Sequence, residues 1–271
     1  MFYTEEKQRN GGRLLQELEI VSTVDGTPQP VLFAAAQGDE PRPLLVGLHT
    51  WSAERHNQQA RLSPLASERN WNLLLPEFRG PNLTTNEQGA QACGAPIARQ
   101  DILDAVAEVQ KRPSVGGPIF LYGGSGGGHM SLMMAAAAPQ LWTAVSSWCP
   151  ITDLFAWREQ NPNYRPHIEH CCGGVPDDGE AVAAQYRERS PFFHADQIAR
   201  STLFIHHGKS DASVPFTHSL RLYEEIVTRR REARVFLEIF DGGHEAHAER
   251  ALAWFDSFLE VETADEQTLS G

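Results

Sequence analysis

The sequence predicts an α/β fold in which a mainly parallel, twisted sheet carries helices on both faces. Short apolar segments alternate along the chain with amphipathic segments whose apolar residues recur at helical spacing. Hydrophobic residues make up 41% and charged residues 21% of the 271 residues, which is enough apolar material for a sizeable buried core. We expect one domain over residues 1–271, because this length suits a single large α/β domain.

The first predicted elements are an antiparallel hairpin and a run of strand-helix units. The hairpin joins strands 14–22 and 30–36 across Asp25-Gly26, a pair that suits a tight turn. The strands that follow are predicted at 43–48, 71–76, 118–122 and 143–149, and the helices between them at 58–69, 97–111 and 126–138.

A segment at 153–189 interrupts this alternation and is rich in Pro, Gly, His and charged residues. It is too short for a second core, so we interpret it as a cap or lid insertion. The alternation resumes with strands at 201–206 and 234–240 and helices at 214–230 and 245–259. Residues 263–271 are predicted to form a loose tail.

Composition and charge argue against several classes of partner. The formal net charge of −12 repels phosphate backbones and acidic membrane surfaces, so we expect no nucleic-acid partner. The first ten residues show no signal-peptide pattern, and the longest apolar run, at 130–138, is too short to cross a bilayer. We therefore expect a cytoplasmic protein with no membrane partner and with reduced cysteines. The sequence leaves the oligomeric state open.

One glycine-rich segment indicates a catalytic nucleophile. Gly123-Gly124-Ser125-Gly126-Gly127 follows an apolar strand and precedes a predicted helix, which matches the G-x-S-x-G nucleophile elbow. A dinucleotide-binding fingerprint would need glycine where His129 stands, and a phosphate-binding loop would need a Gly-Lys-Ser/Thr sequence that this glycine-rich segment lacks. A structural turn with an incidental serine stays open as an alternative.

A serine nucleophile needs a base and an acid that orients it, and both follow later in the chain. Asp211 comes after the strand at 201–206, and His244 comes after the last strand. Asp153 stays open as an alternative acid, and His247 as an alternative base. The neighbouring His206 is interpreted, like His207, as a strand-end residue with structural partners.

The segments around the acid and the base resemble a known family. His207-Gly208-x-x-Asp211-x-x-Val214-Pro215 and Gly243-His244 resemble signatures of the prolyl oligopeptidase-like serine hydrolases and related esterases. The resemblance covers about residues 43–259. It implies an α/β-hydrolase fold in which Ser125, Asp211 and His244 form the catalytic triad.

The oxyanion hole requires two backbone donors. The first is Gly126, directly after the nucleophile. The resemblance implies that the second is Trp51, because Leu48-His49-Thr50-Trp51-Ser52 is similar to the family's H-G-x loop. Thr50 stands where the family usually has glycine, and Trp51 as a pocket wall stays open as an alternative.

The sequence suggests no cofactor and no metal. His167, His170, Cys171 and Cys172 lie together in the predicted cap, but their spacing matches no strong zinc pattern. They are interpreted as part of a lid or pocket rim.

The predicted reaction is hydrolysis of a carboxylic ester through an acyl-enzyme. Members of the family that cleave peptides usually carry a large additional domain, and about forty residues precede the first parallel strand here. A small open site favours a small-molecule ester over a short peptide. A small peptidase is the alternative, and a non-catalytic binding protein of the same fold is the second alternative.

Overall fold

The described strands form one nine-stranded sheet in the order β1-β2-β3-β5-β4-β6-β7-β8-β9. The computed structural model describes residues 8–10 and 13–268, and of residues 8–10 and 260–268 it describes the backbone only. The strands are β1 (Gln8–Asn10), β2 (Arg13–Val21), β3 (Pro28–Ala34), β4 (Arg42–Leu48), β5 (Asn72–Pro76), β6 (Val115–Gly124), β7 (Ala144–Trp148), β8 (Leu203–Gly208) and β9 (Val235–Phe240).

Helices connect the strands and cover the sheet. They are α1 (Gln59–Glu68), α2 (Pro96–Val109), α3 (Gly126–Ala137), α4 (Leu154–Gln160), α5 (Arg165–Cys172), α6 (Glu180–Glu188), α7 (Ala195–Ile198), α8 (Thr217–Arg229) and α9 (Ala248–Thr268). None of these described helices is long and apolar enough to cross a membrane.

The sheet is antiparallel at one end and parallel over the rest. β2 pairs antiparallel with β1 and β3, and β3 pairs antiparallel with β5. Every neighbouring pair from β5 to β9 is parallel. The carboxyl ends of six strands therefore lie along one edge, where the loops that follow them meet. This topology agrees with the predicted mainly parallel sheet and the predicted N-terminal hairpin.

Two apolar clusters lie on opposite faces of the sheet. One combines strand residues with α2, α3, α7 and α8, and the other combines them with α1 and α9. β5 and β7 are buried along their whole length, as strands covered on both faces are. The helices on both faces thus hold the strand ends in a fixed arrangement.

The segment at 153–189 folds as α4, α5 and α6. A third apolar cluster joins these helices to the body through Trp51 and Val214, which pack with Trp157, Ile168 and Tyr186. The predicted cap is therefore a helical layer in contact with the loops that follow β4 and β8.

The C-terminal helix is longer than predicted. α9 continues to Thr268, so the prediction of a loose tail from residue 263 was wrong for residues 263–268. Residues 260–268 contain no Gly or Pro and include good helix formers, so nothing in the local sequence ends the helix at 259. The remainder of the predicted tail, 269–271, lies outside the described residues.

Candidate active site

Ser125 lies at a sharp turn between β6 and α3. Its φ of 56° and ψ of −118° are values that residues other than glycine rarely adopt. A Cβ atom on Gly123 would overlap the carbonyl oxygen of Gly127, and one on Gly127 would overlap that of Leu48. The elbow therefore requires glycine on both sides of the serine, which is the physical reason for the G-x-S-x-G pattern.

The three residues predicted as a triad form a hydrogen-bonded row. His244 Nε2 lies 2.8 Å from Ser125 Oγ, and His244 Nδ1 lies 2.7 Å from Asp211 Oδ2. Asp211 follows β8 and His244 follows β9, so the parallel strands bring both to the edge where Ser125 lies. With Nδ1 protonated, the imidazole donates to the carboxylate and accepts the serine hydroxyl proton at Nε2.

The carboxylate of Asp211 is fully buried and held by several donors. Its Oδ1 accepts hydrogen bonds from the amides of Ser213 at 2.8 Å and Val214 at 2.9 Å. Burial opposes the charge, but hydrogen bonds from His207, His244 and Val214 outweigh it and hold the pKa of Asp211 well below its usual value. Asp211 is therefore an anion at neutral pH.

His207 contacts the same carboxylate, which the sequence interpretation missed. Its Nε2 lies 3.2 Å from Asp211 Oδ2 and 2.8 Å from the carbonyl oxygen of Val214, and its Nδ1 lies 2.7 Å from Ser219 Oγ. The signal in the sequence is the spacing of four residues between His207 and Asp211 around a turn. The contact with Ser219 on α8 could not be read from that spacing.

Two backbone amides lie beside the nucleophile. Gly126 is the first residue of α3, so its N–H has no acceptor within the helix. A Cβ atom on Gly126 would overlap the amide nitrogen of Trp51, which shows how closely the two backbones approach. Among the residues that the structure describes, no backbone or side-chain acceptor contacts the Trp51 amide. The loop is held in part by the amide of Thr50, which donates to Asn57 Oδ1 at 3.1 Å.

The side chain of Trp51 packs with Trp157 and Tyr164, and these three rings form the aromatic wall. The Trp51 ring packs edge-on against Trp157 at a centroid distance of 4.8 Å and against Tyr164 at 6.2 Å. Trp157 Nε1 and Asn161 Nδ2 each donate to the carbonyl oxygen of Ser213 at 3.0 Å. α4 of the cap is thus tied to the loop that carries Asp211. The pocket-wall and oxyanion-donor interpretations of Trp51 are compatible, because one uses its ring and the other its amide.

The alternative acid and base have other partners. Asp153 caps α4 by accepting from the amide of Ala156 at 3.2 Å, and it lies 3.6 Å from Arg221. His247 packs against the edge of Trp148 and lies 3.8 Å from a Glu245 carboxylate oxygen. The structure therefore brings Asp211 and His244, but neither alternative, into the row with Ser125.

The two cap histidines that could suggest a metal have backbone partners. His167 Nδ1 accepts from the amide of Thr84 at 3.0 Å, and His170 Nε2 lies 2.9 Å from the carbonyl oxygen of Asn86. Within the described part of the chain, one group of three or more side chains presents potential ligand atoms within 4.8 Å of one another. Its members are Cys149, His207 and Asp211.

A known protein family matches the part of the chain that carries the row of Ser125, His244 and Asp211. The prolyl oligopeptidase family matches the chain over residues 97–260. The chain belongs to the prolyl oligopeptidase family. The match includes Ser125, Asp211 and His244, whereas Trp51 lies before it. Membership confirms the predicted resemblance, the α/β-hydrolase fold and the predicted class of enzyme, the serine hydrolases.

Relatives of this prolyl oligopeptidase family member include proteins named as peptidases and a protein named as an esterase. The uncharacterized peptidase YtmA of Bacillus subtilis (strain 168) is 29% identical over 129 residues, which are 47% of this chain and 49% of YtmA. The structure of an acylaminoacyl peptidase in complex with a chloromethyl ketone has a TM-score of 0.69 at 19% identity and covers 86% of this chain and 38% of its own. The structure of acetyl xylan esterase 1 from Thermoanaerobacterium sp. JW/SL YS485 has a TM-score of 0.72 at 17% identity and covers 95% of this chain and 86% of its own. The chain thus spans about half of YtmA and less of the acylaminoacyl peptidase.

Proposed function

We propose that this chain is a serine hydrolase that cleaves carboxylic esters through an acyl-enzyme, with Ser125 as nucleophile, His244 as general base and Asp211 as the acid of the triad. The observation that carries this proposal is the row of hydrogen bonds from Asp211 through His244 to Ser125. A serine hydroxyl is a weak nucleophile until a positioned base accepts its proton, and this row supplies the base and orients it. We propose one domain, with residues 153–189 as its cap.

The first half of the reaction forms the acyl-enzyme. His244 Nε2 takes the Ser125 proton as the serine oxygen attacks the ester carbonyl, and the buried Asp211 carboxylate stabilises the imidazolium. The amides of Gly126 and Trp51 donate to the oxyanion of the tetrahedral intermediate. His244 then returns the proton to the departing alcohol oxygen.

The second half releases the acid and restores the enzyme. Water gives a proton to His244 Nε2 and attacks the acyl carbon, the same two amides bind the new oxyanion, and Ser125 leaves with the proton from His244. All proton transfers are made by residues of the chain, so the proposed reaction requires no cofactor.

The aromatic wall lies beside the proposed site, with Trp51 and Trp157 buried and Tyr164 half-buried. Trp51, Trp157 and Tyr164 extend from the proposed oxyanion donor to the loop of Asp211, so the wall is adjacent to both ends of the triad. The structural similarity to an acetyl xylan esterase extends over most of both chains, which supports an ester substrate.

A peptidase is the second candidate, favoured by the names of YtmA and the acylaminoacyl peptidase. Esters and amides pass through the same acyl-enzyme, and they differ in the leaving group that His244 must protonate. The two candidates therefore share every residue named above and differ in the bond that is cleaved. We propose that the substrate is a small-molecule ester, with a short peptide as the alternative.

Hydrolysis of matched substrates separates the candidates. We would measure p-nitrophenyl esters of increasing acyl length beside aminoacyl p-nitroanilides, using the wild type and Ser125→Ala. Ester turnover that is lost in Ser125→Ala is the expected result, and the preferred acyl length then reports the pocket. Higher kcat/KM for the anilides would contradict the ester proposal and establish the peptidase.

Labelling with a fluorophosphonate tests the nucleophile without assuming a substrate. The reagent should modify the wild type and the control Ser257→Ala, which removes an exposed hydroxyl on α9, but it should not modify Ser125→Ala. Failure to label the wild type would contradict the hydrolase proposal and support a non-catalytic binding protein.

A further inference from the structure

A thiol, an imidazole and a carboxylate meet behind the catalytic histidine. Cys149 follows β7, and its Sγ lies within 4.8 Å of a ring nitrogen of His207 and of a carboxylate oxygen of Asp211. All three residues are buried, and His207 Nε2 is 3.2 Å from Asp211 Oδ2. Zinc ligands lie about 2.0–2.3 Å from the metal, so ligand atoms in a tetrahedral site are roughly 3.3–3.7 Å apart. Small side-chain shifts would bring this group to that spacing.

We propose that Cys149, His207 and Asp211 form a binding site for a thiophilic divalent cation such as Zn²⁺, and that occupation of this site inhibits the enzyme. The combination of sulfur, nitrogen and oxygen ligands suits Zn²⁺ and discriminates against Mg²⁺, which prefers oxygen ligands alone. The inhibition rests on the proposed function, since the cation would take the carboxylate oxygen that now accepts from His244 Nδ1. The binding itself does not depend on that function.

The surroundings of His207 allow its nitrogen to become a ligand. In the resting state Nε2 carries the proton that faces the carbonyl oxygen of Val214, and Nδ1 faces the hydroxyl of Ser219. The serine hydroxyl can donate or accept, so Nδ1 can carry the proton instead and donate it to Ser219 Oγ. Nε2 is then free for the cation, and Ser219 fixes the ring as outer hydrogen-bond partners of ligating histidines do.

Charge balance also favours a divalent cation. The bound cation displaces the proton of the Cys149 thiol into solvent, and the sulfur then ligates as a thiolate. Thiolate and carboxylate together supply two negative charges, which neutralise the two positive charges of the ion.

The loop of His244 covers the sulfur and controls access. Cys149 Sγ lies 3.2 Å from the carbonyl oxygen of Glu245 and 3.8 Å from that of Gly243. An entering cation must therefore displace this loop, and we expect inhibition to develop over time after mixing.

The binding test uses Co²⁺ as a spectroscopic substitute for Zn²⁺. Thiolate-to-Co²⁺ charge-transfer absorption should appear with one equivalent in the wild type and disappear on addition of Zn²⁺. This absorption should be absent in Cys149→Ser and retained in Cys93→Ser. The Cys93→Ser variant is a matched control, because it removes a buried thiol from the third apolar cluster. Absorption that persists in Cys149→Ser, or that is absent from the wild type, would overturn the site.

The activity test uses the ester assay with Zn²⁺, and with Mg²⁺ as the control ion. Cys149→Ser should keep most of its activity without metal, since a hydroxyl can also donate to the Glu245 carbonyl. The Zn²⁺ concentration for half-inhibition should rise at least tenfold in Cys149→Ser and stay unchanged in Cys93→Ser. Equal sensitivity of wild type and Cys149→Ser would overturn the inhibition. If the protein hydrolyses no ester, the proposed function fails, and the Co²⁺ titration still decides whether the cation site exists.

Discussion

At the scale of single residues, the charge of Asp211 is the feature on which the proposed mechanism depends most. Asp211→Asn keeps the size of the side chain but removes the anion that fixes the His244 tautomer and stabilises its imidazolium. We expect kcat to fall by about 10³–10⁴-fold. Urea unfolding at neutral pH should also give a lower free energy of unfolding, because the folded state favours the ionised carboxylate whose pKa it lowers. A loss of less than tenfold in steady-state ester hydrolysis would show that another group orients His244.

His207 is expected to position Asp211 without touching substrate. His207→Leu removes its donor, so kcat should fall roughly tenfold, as loss of a hydrogen bond to a charged group does. The loss should appear mainly in kcat rather than in KM, because His207 does not touch substrate. His207→Gln retains a donor and should restore part of the wild-type kcat. Equal kcat of both variants and the wild type in ester hydrolysis would limit His207 to packing.

At the scale of elements, the contact between the elbow and the loop after β4 positions the two proposed oxyanion donors, the amides of Gly126 and Trp51. In Gly126→Ala the added Cβ would push against the amide nitrogen of Trp51. Loss of one oxyanion donor typically costs about 10²–10³-fold in kcat, and we expect a loss of that size. Gly117→Ala is the control, because its Cβ would meet no atom within 4 Å although its φ of 72° carries strain. Equal activity of the two variants would contradict the assignment of Trp51.

The same elements show what the sequence could predict. The elbow, the acid loop and the histidine loop each follow a strand and carry a local motif, so the sheet order could be expected to bring Ser125, Asp211 and His244 together. The contact of His207 with Ser219 joins β8 to α8. The hydrogen bond from Trp157 on α4 to the carbonyl oxygen of Ser213 joins the cap to the loop that carries Asp211. Both depend on how separate elements pack, which periodicity and spacing do not specify. The end of α9 was mispredicted because no local signal marks it.

At the scale of the whole molecule, buried histidines make the stability of the fold sensitive to acid. Burial lowers the pKa of His49, and it lowers the pKa of His129 and of His206 to about 4 and that of His218 to about 3. The last three lie on different elements: His129 on α3 faces the Arg189 carbonyl, His206 on β8 stacks on Trp148, and His218 on α8 bonds to Gln160. Each is neutral in the folded protein at pH values where an unfolded histidine, with a pKa of about 6.5, takes up a proton.

The free energy of unfolding should therefore decrease as the pH falls from about 6.5 towards 4, because in this window the unfolded chain binds more protons than the folded one. Each buried histidine contributes a slope of at most about 1.4 kcal/mol per pH unit, and partial exposure of the sites reduces it. We would measure urea unfolding at several pH values for the wild type, for His218→Gln and for His56→Gln. His218→Gln should show a shallower slope, whereas His56→Gln, which changes an exposed histidine, should match the wild type. A free energy of unfolding that is constant between pH 6.5 and 4 would mean that the buried imidazoles gain protons in the folded state as readily as in the unfolded chain.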